Sequence, residues 1–214
     1  MITTVVFDIG ETLVRDDRYW ASWADWLDVP RHTLSALVGA VVAQGRDNAD
    51  ALRLLRPGID IEAEREAKDA TAGYEEHLDE TDLYADVRPG LAELTDAGYA
   101  VHIAGNQTAR AAALLRTLDL PAVTVSTSGE WGAAKPDGAF FHRLLQVTQS
   151  PPPATLYVGD HPANDITPAT RAGLRTCLIR RGPWGHLWAD SADVAPDMTI
   201  GAVHELPALL AGTT

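Results

Sequence analysis

A single cysteine, Cys177, among 214 residues rules out an intramolecular disulfide. A chain of this length buries about 70% of its unfolded surface and holds a core without cross-links. Positive charge is also scarce, with 17 Lys and Arg facing 30 Asp and Glu for a formal charge of −13. The resulting field repels phosphate backbones and anionic lipid, which argues against nucleic-acid and membrane partners. Long apolar runs are missing too. Val5-Val6-Phe7 and Ala40-Val41-Val42-Ala43 fall far short of the ~18–20 residues that a membrane span requires. No cationic segment precedes the first apolar run, and Asp8 interrupts it, so the start does not read as a signal peptide and a cytoplasmic location is expected. There is no internal repeat and no low-complexity segment. These absences leave a globular protein of one domain, or one domain carrying an insert.

What is present is an alternation. Short β-branched or apolar runs bounded by turn residues occur at 3–7, 100–104, 122–125, 155–158 and 176–179, and they read as buried strands. Between them lie stretches of helical period at 90–97, 108–118, 138–147 and 168–172, the last with Thr167 as N-cap and Gly173 as its end. Strand alternating with helix predicts an α/β fold with a doubly wound parallel sheet. Residues 15–81 break the rhythm, because they contain no strand-like run and read as helices near 18–27, 32–43, 48–55 and 61–78. An all-helical insert of 15–81 within a core of 1–14 and 82–214 is therefore expected. Trp20, Trp23 and Trp26 recur every third residue along one side of its first helix. Such a stripe suits either the insert's own packing or an aromatic lid over a substrate.

Ligands of open parallel sheets bind beyond the carboxyl ends of the strands. The first strand ends at Asp8, the second at Gly105-Asn106 and the fourth at Gly159-Asp160, with Asp165 five residues further along the same loop. Three carboxylates with little positive charge nearby repel one another unless a hard cation sits among them, and Mg²⁺ takes oxygen ligands of this kind. Lys135, just ahead of a helix, is placed to offset an anionic substrate at the same edge.

Phe7-Asp8-Ile9-Gly10-Glu11-Thr12-Leu13, then Lys135-Pro136, then Gly159-Asp160-His161-Pro162-Ala163-Asn164-Asp165 resemble, in order, the signature motifs of the haloacid dehalogenase superfamily. The resemblance implies a Rossmann-like core, with the helical insert as a cap that supplies specificity. For the phosphatase branch it implies that Asp8 attacks phosphorus and forms an aspartyl-phosphate, with Lys135 and Mg²⁺ stabilising the transferring group. The implied metal ligands are Asp8, the Gly10 carbonyl, Asp160, and Asp165 directly or through water. The implied partner is a small phosphorylated molecule.

Two positions depart from the family pattern. Gly10 stands where a second aspartate serves as general acid and base, a function worth about 10²–10⁴ in rate. Glu11 is the local replacement candidate, or else a carboxylate turned to solvent. Gly105 stands where Ser or Thr gives the phosphate a hydroxyl, and a lost donor costs roughly 1–3 kcal/mol. The backbone amides of Gly105 and Asn106 remain for the anion, and Thr108 and His161 are candidate substrate contacts, each with a plain capping or loop role as its alternative. The departures keep two rivals to the phosphatase open. One is a ligand-binding protein that kept the fold, and the other is a metal-independent 2-haloacid dehalogenase using Asp8 against carbon.

Overall fold

The computed structural model describes residues 1–191, 193 and 195–212, which form two compact units, 16–77 and 1–15 together with 78–214. The smaller unit carries four helices, α1 (Asp17–Trp26), α2 (Arg31–Val42), α3 (Asp50–Leu55) and α4 (Ile61–Asp69). Leu34, Val38, Val41 and Val42 of α2 are buried together with Trp23, Ala51 and Leu52, the spacing of one apolar helix face. Trp26 packs edge-on against Tyr74 and donates its indole N–H to Glu64 at 2.8 Å. Trp23 and Trp26 thus serve the unit's own interior. Helix α4 ends at Asp69, well before the expected residue 78, and Gly73, at a φ of +89°, turns the chain beyond it in a way that helices do not.

The larger unit is built on six parallel strands, β1 (Thr4–Phe7), β2 (Ala100–Gly105), β3 (Thr124–Thr127), β4 (Thr155–Gly159), β5 (Arg175–Ile179) and β6 (Met198–Ile200), in the order β3-β2-β1-β4-β5-β6. This is the doubly wound sheet that the alternation predicts. The strand order reverses between β1 and β4, which opens a crevice at their carboxyl ends. Side chains alternate in β1 and β4. Val5, Phe7, Leu156 and Val158 join one core layer with Val87, Leu91 and Leu94, while Val6 and Tyr157 join the other with Phe140, Phe141 and Leu144.

Helices α5 (Val87–Asp96), α6 (Ala109–Thr117), α7 (Ser128–Trp131), α8 (Gly138–Thr148), α9 (Thr167–Arg171), α10 (Gly182–Trp188) and α11 (Leu206–Ala211) complete the unit. The α9 start differs from expectation. A wide turn over Pro162–Ile166 runs straight into it, so Thr167 is already helical and His161 is the cap. Helix α5 begins three residues ahead of Gly90, since Pro89 falls in its first turn, where no N–H is needed. The unit also takes in Arg15 and Leu78 to Thr81, at the two ends of the expected insert, because the two crossing segments pair beside them. Val14 bridges antiparallel to Leu83, Arg15 N donates to Asp82 O at 2.8 Å, and Tyr84 N donates to Leu13 O at 3.0 Å. No described helix is long and apolar enough to cross a membrane.

Candidate active site

Asp8 follows the last residue of β1 and Asp160 follows the last residue of β4, on the two strands that flank the crevice. The turn capped by His161 brings Asp165 back beneath them. Asp165 N donates to His161 O at 2.8 Å, and His161 N donates to Asp165 Oδ2 at 2.8 Å. One carboxylate oxygen from each of Asp8, Asp160 and Asp165 lies within 4.8 Å of the others, and all three residues are buried. Lys135, from the loop between α7 and α8, places its Nζ 2.6 Å from both Asp8 Oδ1 and Asp165 Oδ1. The rings of Tyr157 and Phe140 line the ammonium at 5.5 and 5.8 Å.

The electrostatics follow from this crowding. Burial pushes the Asp8 carboxyl up to about 6, with Lys135 pulling it down and Asp165 pushing it further up. Burial also opposes the charge on Lys135, yet the Asp165 and Asp8 carboxylates together hold its ammonium well above the usual lysine value. Three hard oxygen donors against one fixed cation leave an excess of negative charge, and that donor set suits Mg²⁺. Both oxygens of Asp165 accept hydrogen bonds from protein donors, Oδ1 from Lys135 Nζ and Oδ2 from the His161 main chain.

The remaining candidates separate by what holds them. The Asn106 side chain clamps the lysine loop, donating through Nδ2 to Lys135 O at 2.9 Å and accepting from Lys135 N at 2.8 Å. What Asn106 offers a ligand is therefore its main chain. Thr108 caps α6, its hydroxyl oxygen accepting from Ala111 N at 2.9 Å, which is the capping alternative for this residue. His161 likewise accepts through Nδ1 from Ala163 N and Asn164 N, and its ring stacks on Trp184 with centroids 3.9 Å apart. Gly10 lies in the loop after Asp8 and bridges to Val14. Gly105, the last residue of β2, stands against Asp8 itself.

Glu11 is not turned idly to solvent. It adopts a left-handed φ of +48°, a conformation that costs a side-chain-bearing residue about 1–2 kcal/mol, and its carboxylate accepts from the Tyr84 hydroxyl. Burial and the neighbouring Glu11 keep that hydroxyl protonated well above the ordinary tyrosine value. The Arg181 guanidinium lies 4.1 Å from the Tyr84 ring centroid, donates to Thr12 O at 2.6 Å and pairs with Asp86. Tyr84, Asp86 and Arg181 were not singled out from the sequence. Their one signal is a position just after a strand or a crossing segment, which many inert residues share.

A family model described as haloacid dehalogenase-like hydrolase matches residues 2–173. Phosphoserine phosphatase of Thermus thermophilus is 33% identical over 82 residues, which span 38% of this chain and 31% of that protein. Less than a third of that relative's length is therefore represented in the match. Glyceraldehyde 3-phosphate phosphatase of Methanopyrus kandleri is 29% identical over 158 residues, or 72% of this chain and 68% of the relative. Among solved structures, that of YfnB from Bacillus subtilis, described as a HAD-hydrolase bound to magnesium, superposes with a TM-score of 0.70 at 18% identity and covers 98% of each chain.

Proposed function

Because the chain belongs to the family of haloacid dehalogenase-like hydrolases, we propose that it hydrolyses a small organic phosphomonoester with Mg²⁺ as cofactor. The observation that carries this reading is the gathering of Asp8, Asp160 and Asp165 around Lys135 at the crevice between β1 and β4. Two of the relatives named above are phosphatases, which supports the choice of substrate class.

Asp8 attacks phosphorus, the bond from phosphorus to the ester oxygen breaks, and the leaving oxygen takes up a proton as the alcohol departs. Water then attacks the phosphorus of the aspartyl-phosphate and gives a proton to the Glu11 carboxylate, which releases inorganic phosphate, returns the Asp8 carboxylate and restores the proton on Glu11. Lys135 orients Asp8 and sets positive charge beside the oxygens of the transferring group. The main-chain amides of Gly105 and Asn106 face the anion, while Thr108 and His161 fix the loops that carry them and Asp165. Mg²⁺ held by Asp8, Asp160, the Gly10 carbonyl and Asp165, the last directly or through water, supplies when bound the charge that offsets the phosphoryl oxygens. We assign the proton donor for the leaving oxygen to Glu11, held by Tyr84.

Phosphate release from a panel of phosphomonoesters and an activated aryl phosphate tests this, with Mg²⁺ and with chelator, for wild type and Asp8→Asn. The expected result is metal-dependent turnover that Asp8→Asn abolishes. Chelator-insensitive halide release from a 2-haloacid would replace the reading with dehalogenation. Mg²⁺ binding with no Asp8-dependent turnover on any ester would replace it with a binding role.

A further inference from the structure

We infer that Gly105 is a positioning residue, whose missing side chain is the space in which the Asp8 carboxylate lies when it grips Lys135. A β-carbon on Gly105 would stand 2.3 Å from Asp8 Oδ1, and 3.1 Å from both the Ile9 Cγ1 and the Ile9 backbone nitrogen. The first distance is far inside van der Waals contact. The same Oδ1 accepts from Lys135 Nζ at 2.6 Å, so any movement of Asp8 that admits a β-carbon disturbs that bond.

The other neighbour of β1 repeats the arrangement. Gly159 ends β4, and a β-carbon there would stand 2.3 Å from Asp165 Oδ2 and 2.7 Å from Asp165 Cβ. Asp165 is the second carboxylate on Lys135. Both carboxylates that hold the ammonium therefore rest against a glycine closing a strand beside β1. Neither glycine has a positive φ, so what glycine provides is room and not backbone freedom. The consequence opposes the simplest reading of the family pattern. Serine at 105 restores a hydroxyl for the substrate but displaces the nucleophile, so Gly105 is a fitted part and not a lost donor.

Two readouts test this without turnover, and a third rests on the phosphatase reading. The first is a double-mutant cycle on thermal unfolding with Gly105→Ala and Asp8→Ala. Gly105→Ala is expected to lower Tm by about 4 °C or more, and by less than half as much in the Asp8→Ala background. The second uses the fact that Lys68 and Lys135 are the chain's only lysines. Protein labelled with ¹⁵N-lysine gives two side-chain amine signals, which Lys68→Met assigns. Gly105→Ala and Gly105→Ser should both move the Lys135 signal and leave that of Lys68 in place. In the third, both variants should lose about tenfold or more in kcat/KM.

An equal Tm loss in the two backgrounds would overturn the inference, as would a Lys135 signal unmoved in folded variants, or Gly105→Ser turning over as fast as wild type. A Gly105 variant that folds only when Asp8→Ala is present would support it. A wild type without Asp8-dependent turnover would sink the phosphatase reading alone, since the cycle and the amine signal still decide the role of Gly105.

Discussion

The surroundings of Lys68 in the helical unit and of Lys135 in the α/β unit begin alike, since both side chains are almost wholly removed from water and both lie near aromatic rings. They differ in what accepts their protons. Lys68 donates to Asp69 at 2.8 Å, to the Tyr74 carbonyl at 3.1 Å and to the Ser22 hydroxyl at 3.4 Å, and Arg65 lies 3.8 Å from the other oxygen of Asp69, so one partly exposed carboxylate meets two cations. Lys135 instead meets two buried carboxylates, with a third close by. The first arrangement has cations enough for its carboxylate and ties α1 to α4. The second holds more negative charge than one lysine neutralises, which folding alone has no reason to collect. Burial of a cation is thus no mark of a site, whereas an unbalanced set of acceptors around it is.

The largest effect should come from Lys135→Met. Turnover is expected to fall about 10²–10³-fold, and stability by roughly 3–5 kcal/mol, because two carboxylates lose their shared counter-charge. Added Mg²⁺ should recover part of that stability, read as a rise in Tm. Next comes Glu11→Gln, which should slow esters with poor leaving groups at least ~10-fold more than the activated aryl phosphate. Equal effects on the two would remove Glu11 from the proton-transfer role. Lys68→Met should change turnover little while costing about 1–3 kcal/mol in urea unfolding. Loss of turnover at full stability would break the comparison of the two lysines.

The smallest effect concerns Cys177, a buried titratable group. Burial, aided by Glu205 and Asp197, pushes its thiol up to about 12. The folded state therefore favours the protonated thiol. That contribution is complete below the unfolded value near ~8.5, and it fades as pH rises toward 12. Thiol reagents at pH 8 should label the native protein no faster than it unfolds, with immediate labelling in denaturant.

Much of this was legible from the chain. The strand ends of a doubly wound sheet have a known address, so the sequence alone places Asp8, Asp160, Asp165 and Lys135 at one edge. The roles that the sequence does not reveal are those set by packing across long separations. Asn106 reads as a ligand contact, and only coordinates reveal its amide clamped to a peptide 29 residues away. Gly105 reads as a deletion until the Asp8 carboxylate is seen against it. Glu11 gave no hint of Tyr84, which is 73 residues distant. In the fold, β6 was missed because Met198–Ile200 is too short for alternation to show. The cap of α9 was misplaced because Thr167-Pro168 imitates a helix start that His161 had already made.

The pairing of the two crossing segments governs how the chain tolerates change in length. Val14 against Leu83, and Arg15 against Asp82 and Thr81, clamp the excursion between residues 16 and 77 at its base. Closing a loop becomes only slowly harder as it grows, by about 0.6 kcal/mol for each doubling, and here the ends are already fastened by main-chain bonds of the larger unit. Insertions or deletions within the helical excursion therefore place almost no entropic load on the sheet. The same change between β4 and Asp165 would move a carboxylate. Length is cheap to vary on one side of that clamp and fixed on the other, so the helical segment is free to diversify while the carboxylates stay in register.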